Sequence, residues 1–378
     1  MTLAANSADV VIVGGGLVGA SLAYGLAKQN QRVVILDADD TSMRAAHGNF
    51  GLVWVQNKGY GLGSYARWSR RAAGAWQAFA QSLIEETGVD PKLEQRGGFH
   101  LCFDDVELSK RQVRLESIRA SLDGDYPFRM IERPALEALL PGIGPKVAGA
   151  SFTGMDGQVN PLMLLRALYT ACRQRGVKVR GGQRVETIRH LPAGGFEIDA
   201  GDAQFDAARV VLSAGLGNAR LATQVSLSAP VRPNRGQILI TERVERFLDY
   251  PTPYVRQTDN GSLQLGDSME DVGLDDGVTT DMVMSIAARA IRCFPALEHI
   301  KLVRSWGALR VMSPDGFPIY EASKACPGAF VATCHSGVTL APLHAGPIAN
   351  WIADGTLPDG IADFGSERFN TENVPYEH

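Results

Sequence analysis

Residues 10–37 read VVIVGGGLVGASLAYGLAKQNQRVVILD, and few folds accept such a segment. The run Val10–Val13 is wholly apolar and ends in glycine, as a parallel strand buried on both faces does. Gly19 to Lys28 then carries Ala20, Ala23, Leu26 and Ala27 at helical spacing, and a second apolar run, Val33–Leu36, ends in Asp37. The spacing predicts a complete β-α-β unit, whose parallel strands need helices on both faces of the sheet. Gly14-Gly15-Gly16-Leu17-Val18-Gly19 fits G-x-G-x-x-G at the strand-to-helix turn. Gly14 permits the tight turn, Gly16 lets a pyrophosphate approach the backbone, and Gly19 allows close helix–strand packing. The helix start offers unpaired N–H groups and the positive end of a dipole to phosphates. Asp37, 18 residues past Gly19, is suited to accept hydrogen bonds from an adenosine ribose. Dinucleotide binding is the expectation. A glycine-rich structural turn is the competing reading, and the unit alone does not separate NAD from FAD.

The 378 residues suffice for two or three domains. An apolar share of 45% and a charged share of 21% describe a soluble globular chain with a sizeable core. The net charge of −4 argues against a dedicated nucleic-acid binder. Glycine is in excess, with 41 residues against a usual ~7%. No basic region precedes the first apolar run, so no secretory leader is expected, and no stretch approaches the ~18 apolar residues of a membrane span. Cys102, Cys172, Cys293, Cys326 and Cys334 are scattered and never form a CxxC pair. No metal site is expected, and reduced thiols in a cytoplasmic protein are. Peripheral attachment at the inner face of the membrane stays open.

Further along, helices are expected over 65–87, 107–122, 133–140, 161–175, 279–293 and about 342–353. Strands are expected at Val177–Val179, Phe196–Ile198, Val210–Leu212, Gln237–Thr241 and Ser262–Leu265. The first fifty and last seventy residues share a glycine-rich α/β style, whereas 88–145 and 226–303 share a more polar one. The expected class is therefore α/β (α+β overall): a Rossmann-like nucleotide-binding domain from 1–87, 146–225 and 304–378, and a discontinuous β-rich substrate domain from 88–145 and 226–303.

Five separated blocks, in order, resemble the glycine oxidase and D-amino-acid oxidase family of FAD-dependent amine oxidoreductases. They are the fingerprint; Arg44-Ala45-Ala46-His47-Gly48-Asn49-Phe50-Gly51; Asp156-Gly157-Gln158-Val159-Asn160-Pro161; and Val210–Gly215 with Arg235-Gly236-Gln237. The fifth is Trp306-Gly307-Ala308-Leu309-Arg310 with Ser313–Pro318 and His335–Pro342. The Gly48–Leu52 loop leans toward the dehydrogenase-like branch that includes catalytic subunits of opine oxidases and hydrogen cyanide synthase. The resemblance implies an FAD site formed by Gly14, Gly16, Leu17, Val18, Gly19, Asp37, Ala38, Ala46, His47, Gly48, Asn49, Gly51, Val185, Ala214, Gly215, Gly307, Arg310, Ser336, Gly337, Val338 and Thr339.

In the resembling enzymes the arginine matching Arg310 grips the substrate carboxylate, which suits a planar, bidentate guanidinium. Proline usually follows it, where Val311 stands here; a buried structural ion pair is the competing reading. Tyr254 matches a tyrosine that helps bind the same carboxylate, or is an ordinary strand aromatic. Arg256 would serve a substrate with two carboxylates, or is a solvated strand-face charge. His47 is suited to shape the flavin's electrostatics, act as a base or attach the flavin covalently; the alternative is a hydrogen-bonded loop residue. His335 is expected to fix its loop, which is two residues shorter than the family pattern. Trp54 lines the active site or packs in the core. Relatives with covalent flavin carry a cysteine around Ala308, and none stands here, so noncovalent FAD is expected.

The resemblance implies oxidation of a C–N bond in an amino acid or secondary amine, by hydride transfer to flavin N5 and hydrolysis of the imine. An FAD-holding electron-transfer subunit without turnover of its own is the rival from another class. Partners are a small-molecule amine and no nucleic acid, with accessory electron-transfer subunits or a homo-oligomer left open.

Overall fold

The computed structural model describes residues 6–38 and 44–370. The β-α-β unit forms as the spacing predicts. Ser7–Val13 and Val33–Leu36 are parallel neighbours, joined through the helix Leu17–Lys28. They sit inside an eight-stranded sheet in which Ser7–Val13 also pairs in parallel with Ala203–Leu212. Ala329–Thr333 extends that side in parallel, and Lys178–Arg180 extends the other. The hairpin Val185–His190/Phe196–Ala200 and the strand Ile319–Ala322 complete it with antiparallel pairs.

The unbroken apolar run divides its side chains between two cores by strand alternation. Val10, Ile12, Val33 and Ile35 face the helices Leu17–Lys28, Gly63–Thr87 and Pro161–Gln174. Val11, Val13, Val34 and Leu36 face the opposite cluster under the hairpin. Burial on both sides is why no polar residue interrupts the run.

A second, antiparallel sheet has the order Val255–Gln257, Ser262–Leu265, Arg232–Arg243, Leu302–Met312. A three-stranded sheet of Gly98–Cys102, Gly149–Thr153 and Arg129–Glu132 shares a core with it and with the helix Thr280–Cys293. Two of these strands lie against the expected segment divisions. Gly149–Thr153 pairs with strands from 98–132, and Leu302–Met312 pairs along Arg232–Arg243. The long strand Leu302–Met312 was not expected, because its exposed start and its glycine hide the alternation. The final helix is also interrupted: Ala341–Leu343 leads into a wide turn, His344–Ile348, before Ala349–Asp354. Pro347 has no N–H to give, so the helical ladder opens there.

Candidate functional site

The fingerprint turn bounds one cavity of about 530 Å³. Gly14 holds φ at +103°, and a Cβ there would stand 2.4 Å from the Ser213 carbonyl oxygen, so the turn excludes any side chain. Gly19 packs onto the same turn; its Cβ would meet the Gly14 carbonyl oxygen at 2.0 Å. Gly16 differs: a Cβ there would find only Ala46, at 3.8 Å, and would otherwise project into the cavity. Gly16 is also the N-cap of Leu17–Lys28 with no side chain capping the first turn, which leaves that end to an anionic ligand. The Asp37 Oδ2 accepts from the Gly15 N–H at 2.6 Å, and its Oδ1 pairs with Arg44.

Twelve residues expected at the cofactor line this cavity: Gly14, Gly16, Leu17, Val18, Asp37, Ala38, Ala46, Asn49, Val185, Ala214, Gly215 and Gly337. Gln183, Arg184, Cys334 and His335 line it as well, and Gly337 stands against Leu17 and Val18 at the helix start. A long ligand with phosphates in the middle fits such a channel: open space above Gly16, a helix N-terminus beside it, an acidic residue at one end. Burial pushes the Cys334 thiol up to about 12, so it stays protonated. Burial first, then the Lys58 and Arg310 charges, holds His335 well below the usual histidine range, hence neutral.

Other expected residues sit elsewhere. Gly307 faces the backbone of Asp276 and Gly277, where a Cβ would stand 2.5 Å from both carbonyl oxygens. Gly51 packs on Val159, Gly48 is buried and accepts from the Trp306 indole at 3.4 Å, and Val338 lies in the core. Thr339 Oγ1 accepts from the Trp54 N–H at 3.1 Å, and the Thr339 carbonyl accepts from Trp76 at 3.0 Å. His47 is exposed, with no side-chain hydrogen bond among the described residues. Trp54 is buried against Gly98, as the core reading had it.

Ser336 does not line the cavity; its Oγ accepts from Lys58 Nζ at 2.7 Å and from the Tyr65 hydroxyl at 2.8 Å. Lys58 is a functional candidate that sequence reasoning missed, because it stands in an unpatterned polar stretch, Gln56-Asn57-Lys58-Gly59. Burial pulls its ammonium down to about 8. Leu309, Val311, Leu274 and Asp276 were missed as well, although they wall the same cavity.

The residues expected to meet substrate stand on the antiparallel sheet. Arg310 pairs with Asn234 across the strands, and Ala308 with Gly236. The Arg310 guanidinium lies directly over Gly236, where a Cβ would come within 2.4 Å of Nη2. The glycine of Arg235-Gly236-Gln237 is therefore the floor on which this arginine rests. Arg310 Nη1 donates to Asn234 Oδ1 at 3.0 Å and to the Ser268 carbonyl at 2.7 Å; Nη2 donates to Asp267 Oδ2 at 3.1 Å. Burial pulls the Arg310 guanidinium below its ordinary value, and the Asp267 and Glu270 charges oppose that pull.

Tyr254 lies near the same acid, with Arg289 over its ring at 4.8 Å and the Phe103 ring at 5.9 Å. Burial pushes its phenol up to about 12, and no described residue bonds the hydroxyl. Arg256 is not a solvated strand-face charge: it is buried, donating to Gln264 and, at 3.4 Å, to Gln158. It holds the loop above Phe50 and Gly51.

Between the two sides, Asp156 receives the Val55 N–H at 2.6 Å and the Gln56 side-chain amide at 2.7 Å. Gly157–Gln158 pairs with Leu52–Val53, so the Asp156–Gln158 motif anchors the segment that follows His47. No helix among the described residues is long and apolar enough to cross a membrane.

Comparison with known proteins agrees with this geometry. The family model for DAO, FAD dependent oxidoreductases, matches residues 9–351. The chain is 40% identical to an opine oxidase subunit from Agrobacterium tumefaciens over 97% of its length and 99% of that protein. It is 28% identical to the hydrogen cyanide synthase subunit HcnC of Pseudomonas aeruginosa, over 96% and 97% of the two chains. The crystal structure of glycine oxidase from Geobacillus kaustophilus superposes with a TM-score of 0.88 at 25% identity, over 98% of this chain and all of that one. A Rossmann-like sheet ending in a glycine-lined cavity, with amine oxidoreductases as relatives, leaves one assignment: the chain belongs to the DAO family of FAD-dependent oxidoreductases, enzymes that act on amino acids and amines.

Proposed function

We propose that the protein oxidises the C–N bond of an amino acid or secondary amine to an imine, which water then hydrolyses, with the substrate carboxylate held by Arg310 and Tyr254. The observation that carries this reading is the bond from Arg310 Nη2 to a half-exposed carboxylate, Asp267, which occupies the seat a substrate carboxylate would take. FAD held along the cavity by the Gly14–Gly19 turn and the start of Leu17–Lys28 would supply two-electron oxidising chemistry. The chain's own residues position and insulate. Arg310, fixed by Asn234 and Ser268, orients the substrate and makes the reaction effectively intramolecular. The Tyr254 hydroxyl, which no described residue hydrogen-bonds, adds a donor beside Phe103 and Arg289. The amine must be neutral so that its lone pair assists hydride departure. Neutral His335 offers no proton to hold it charged, and no side-chain base is needed.

A protonated Cys334 is a poor nucleophile, which supports noncovalent FAD. Exposed His47 is assigned to the electrostatics of the cavity rim, with no proton-transfer step. In this reading 1–87, 146–225 and 304–378 bind FAD, and 88–145 and 226–303 bind substrate. Two strands, Gly149–Thr153 and Leu302–Met312, join the parts.

Arg310→Ala is expected to raise KM about a hundredfold with FAD content unchanged; unaltered kinetics would exclude the role. A second reading is favoured by one observation: two relatives, at 40% and 28% identity, are named as subunits. The protein would then hold FAD for electron transfer and turn over only with a partner. Anaerobic mixing of the purified chain with amino acids and secondary amines separates the two. Bleaching without partners establishes the oxidase or dehydrogenase reading, and a persistently oxidised spectrum establishes the other.

A further inference from the structure

The Arg310 guanidinium divides its work between two nitrogens. Nη1 donates to three acceptors: Asn234 Oδ1 at 3.0 Å, the Ser268 carbonyl at 2.7 Å and the Arg235 carbonyl at 3.3 Å. Nη2 has one acceptor among the described residues, Asp267 Oδ2 at 3.1 Å. The first nitrogen anchors the group; the second is tied only to a side chain that can turn.

The surroundings of Asp267 let its carboxylate move while its backbone stays. Its carbonyl accepts from Arg289, and the Oγ of the next residue, Ser268, accepts from the Gln237 N–H at 2.8 Å. Its side chain is 41% exposed against 17% for Arg310, so on leaving the arginine it meets water. A second partner stands close by: Arg289 Nη2 lies 4.0 Å from Oδ1, beyond a hydrogen bond but within reach of a side-chain rotation. Arg310 has no such freedom, and without an acid beside it a mostly buried cation would stand unpaired. Glu270, whose charge also reaches Arg310, is held by Arg235 at 2.8 Å. The place of Asp267 therefore falls to an incoming anion.

We infer that Asp267 is a resident counter-ion: the substrate carboxylate displaces it from Arg310, and the Asp267 carboxylate then turns to Arg289. This inference rests on the carboxylate role proposed above for Arg310. It makes Asp267 a specificity-determining residue, because it sets a threshold for entry to the seat. A carboxylate matches the bond that Asp267 gives up and restores the charge beside Arg310, whereas a neutral group does neither and leaves Asp267 in place. Arg289 lowers the cost of the exchange by receiving the displaced acid.

The test uses methoxyacetate, a monocarboxylate with no amine to oxidise, so it does not depend on turnover. It is titrated into the FAD-loaded protein, with binding read from the flavin absorbance. Asp267→Asn and Asp267→Ala are each expected to bind it about fivefold tighter than the parent, because a competing charge-assisted bond is gone. Loss of a merely structural acid would weaken binding instead. Asp275→Asn takes an equal charge from Arg235 and is expected to change the affinity less than about twofold. Arg289→Met is expected to weaken methoxyacetate about threefold in the parent and to leave it unmoved in Asp267→Asn, where no displaced carboxylate needs a partner. Unchanged or weaker binding in an Asp267 variant that retains FAD, equal tightening by Asp275→Asn, or equal effects of Arg289→Met in both backgrounds would overturn the inference. Arg310→Met is expected to weaken methoxyacetate in every background. If it does not, the carboxylate role of Arg310 fails, and that result is distinct from a missing gain at Asp267.

Discussion

The two sides of this molecule solve opposite problems. The cofactor side brings backbone close to a long ligand, so its determinants are absences: no Cβ at Gly14, none at Gly16, none at Gly19. The side proposed to bind substrate concentrates charge in a partly dry place, so its determinants are paired presences. Arg310 is matched by Asp267, and Arg235 by Glu270 and Asp275. Errors on the first side should therefore be steric and close to all-or-none, whereas errors on the second should be graded and appear as weakened binding.

The largest effect expected is at Gly14. Gly14→Ala forces a Cβ to 2.4 Å from the Ser213 carbonyl at a φ of +103°, so clash and backbone strain add. A cost above about 4 kcal/mol and loss of FAD from purified protein are expected. Stoichiometric FAD with an unchanged Tm would break the steric half of the comparison.

Next comes Asp156, at the seam. Burial raises its carboxyl to about 7 against an ordinary 3.8. Between those values the folded protein keeps a proton that the unfolded chain has released. Stability should then fall as pH rises from about 4 to about 7, by up to about 4 kcal/mol relative to Asp156→Asn. Chemical denaturation of both proteins across that range checks the slope; parallel curves would show that the carboxyl titrates normally.

That seam also marks how far the sequence could be read. The β-α-β unit was legible because its pattern lies within 28 consecutive residues and both cores follow from strand alternation. Arg310 was singled out only through its likeness to a family, since nothing local to Trp306–Arg310 speaks of Asp267, 43 residues away, or of the floor at Gly236. The inward face of Leu302–Met312 exists only once Arg232–Arg243 pairs with it. Lys58 has no periodicity to betray it, and the expectation for Gly307 failed to foresee the 276–277 backbone lying against it. A Gly-rich turn carries its reason within itself, whereas a charge cluster assembled across strands does not.

Gly236→Ala tests the graded side by moving Arg310 without removing it. A methyl within 2.4 Å of Nη2 displaces the guanidinium from Ser268 and Asn234 while leaving the cavity residues in place. KM is expected to rise roughly ten- to thirtyfold, equivalent to losing one charge-assisted hydrogen bond. FAD content should stay at the parent value. Loss of FAD instead would mean that the two sides are not separable.

The smallest effect sharpens the comparison most, because it sets two tyrosines against each other. The Tyr126 hydroxyl donates to the Val55 carbonyl at 2.6 Å in the buried seam, whereas the Tyr254 hydroxyl hydrogen-bonds no described residue. Tyr126→Phe removes the shorter of the two hydrogen bonds to the Val55 carbonyl, which keeps only the Lys58 N–H at 3.0 Å, and should cost ~1 kcal/mol of stability with KM unmoved. Tyr254→Phe strands nothing, so Tm should hold while KM rises about fivefold through one lost donor to substrate. Thermal melts and steady-state kinetics on the two variants make a crossed pair. If Tyr254→Phe instead lowers Tm and spares KM, its phenol is packing, and the substrate side narrows to the arginines.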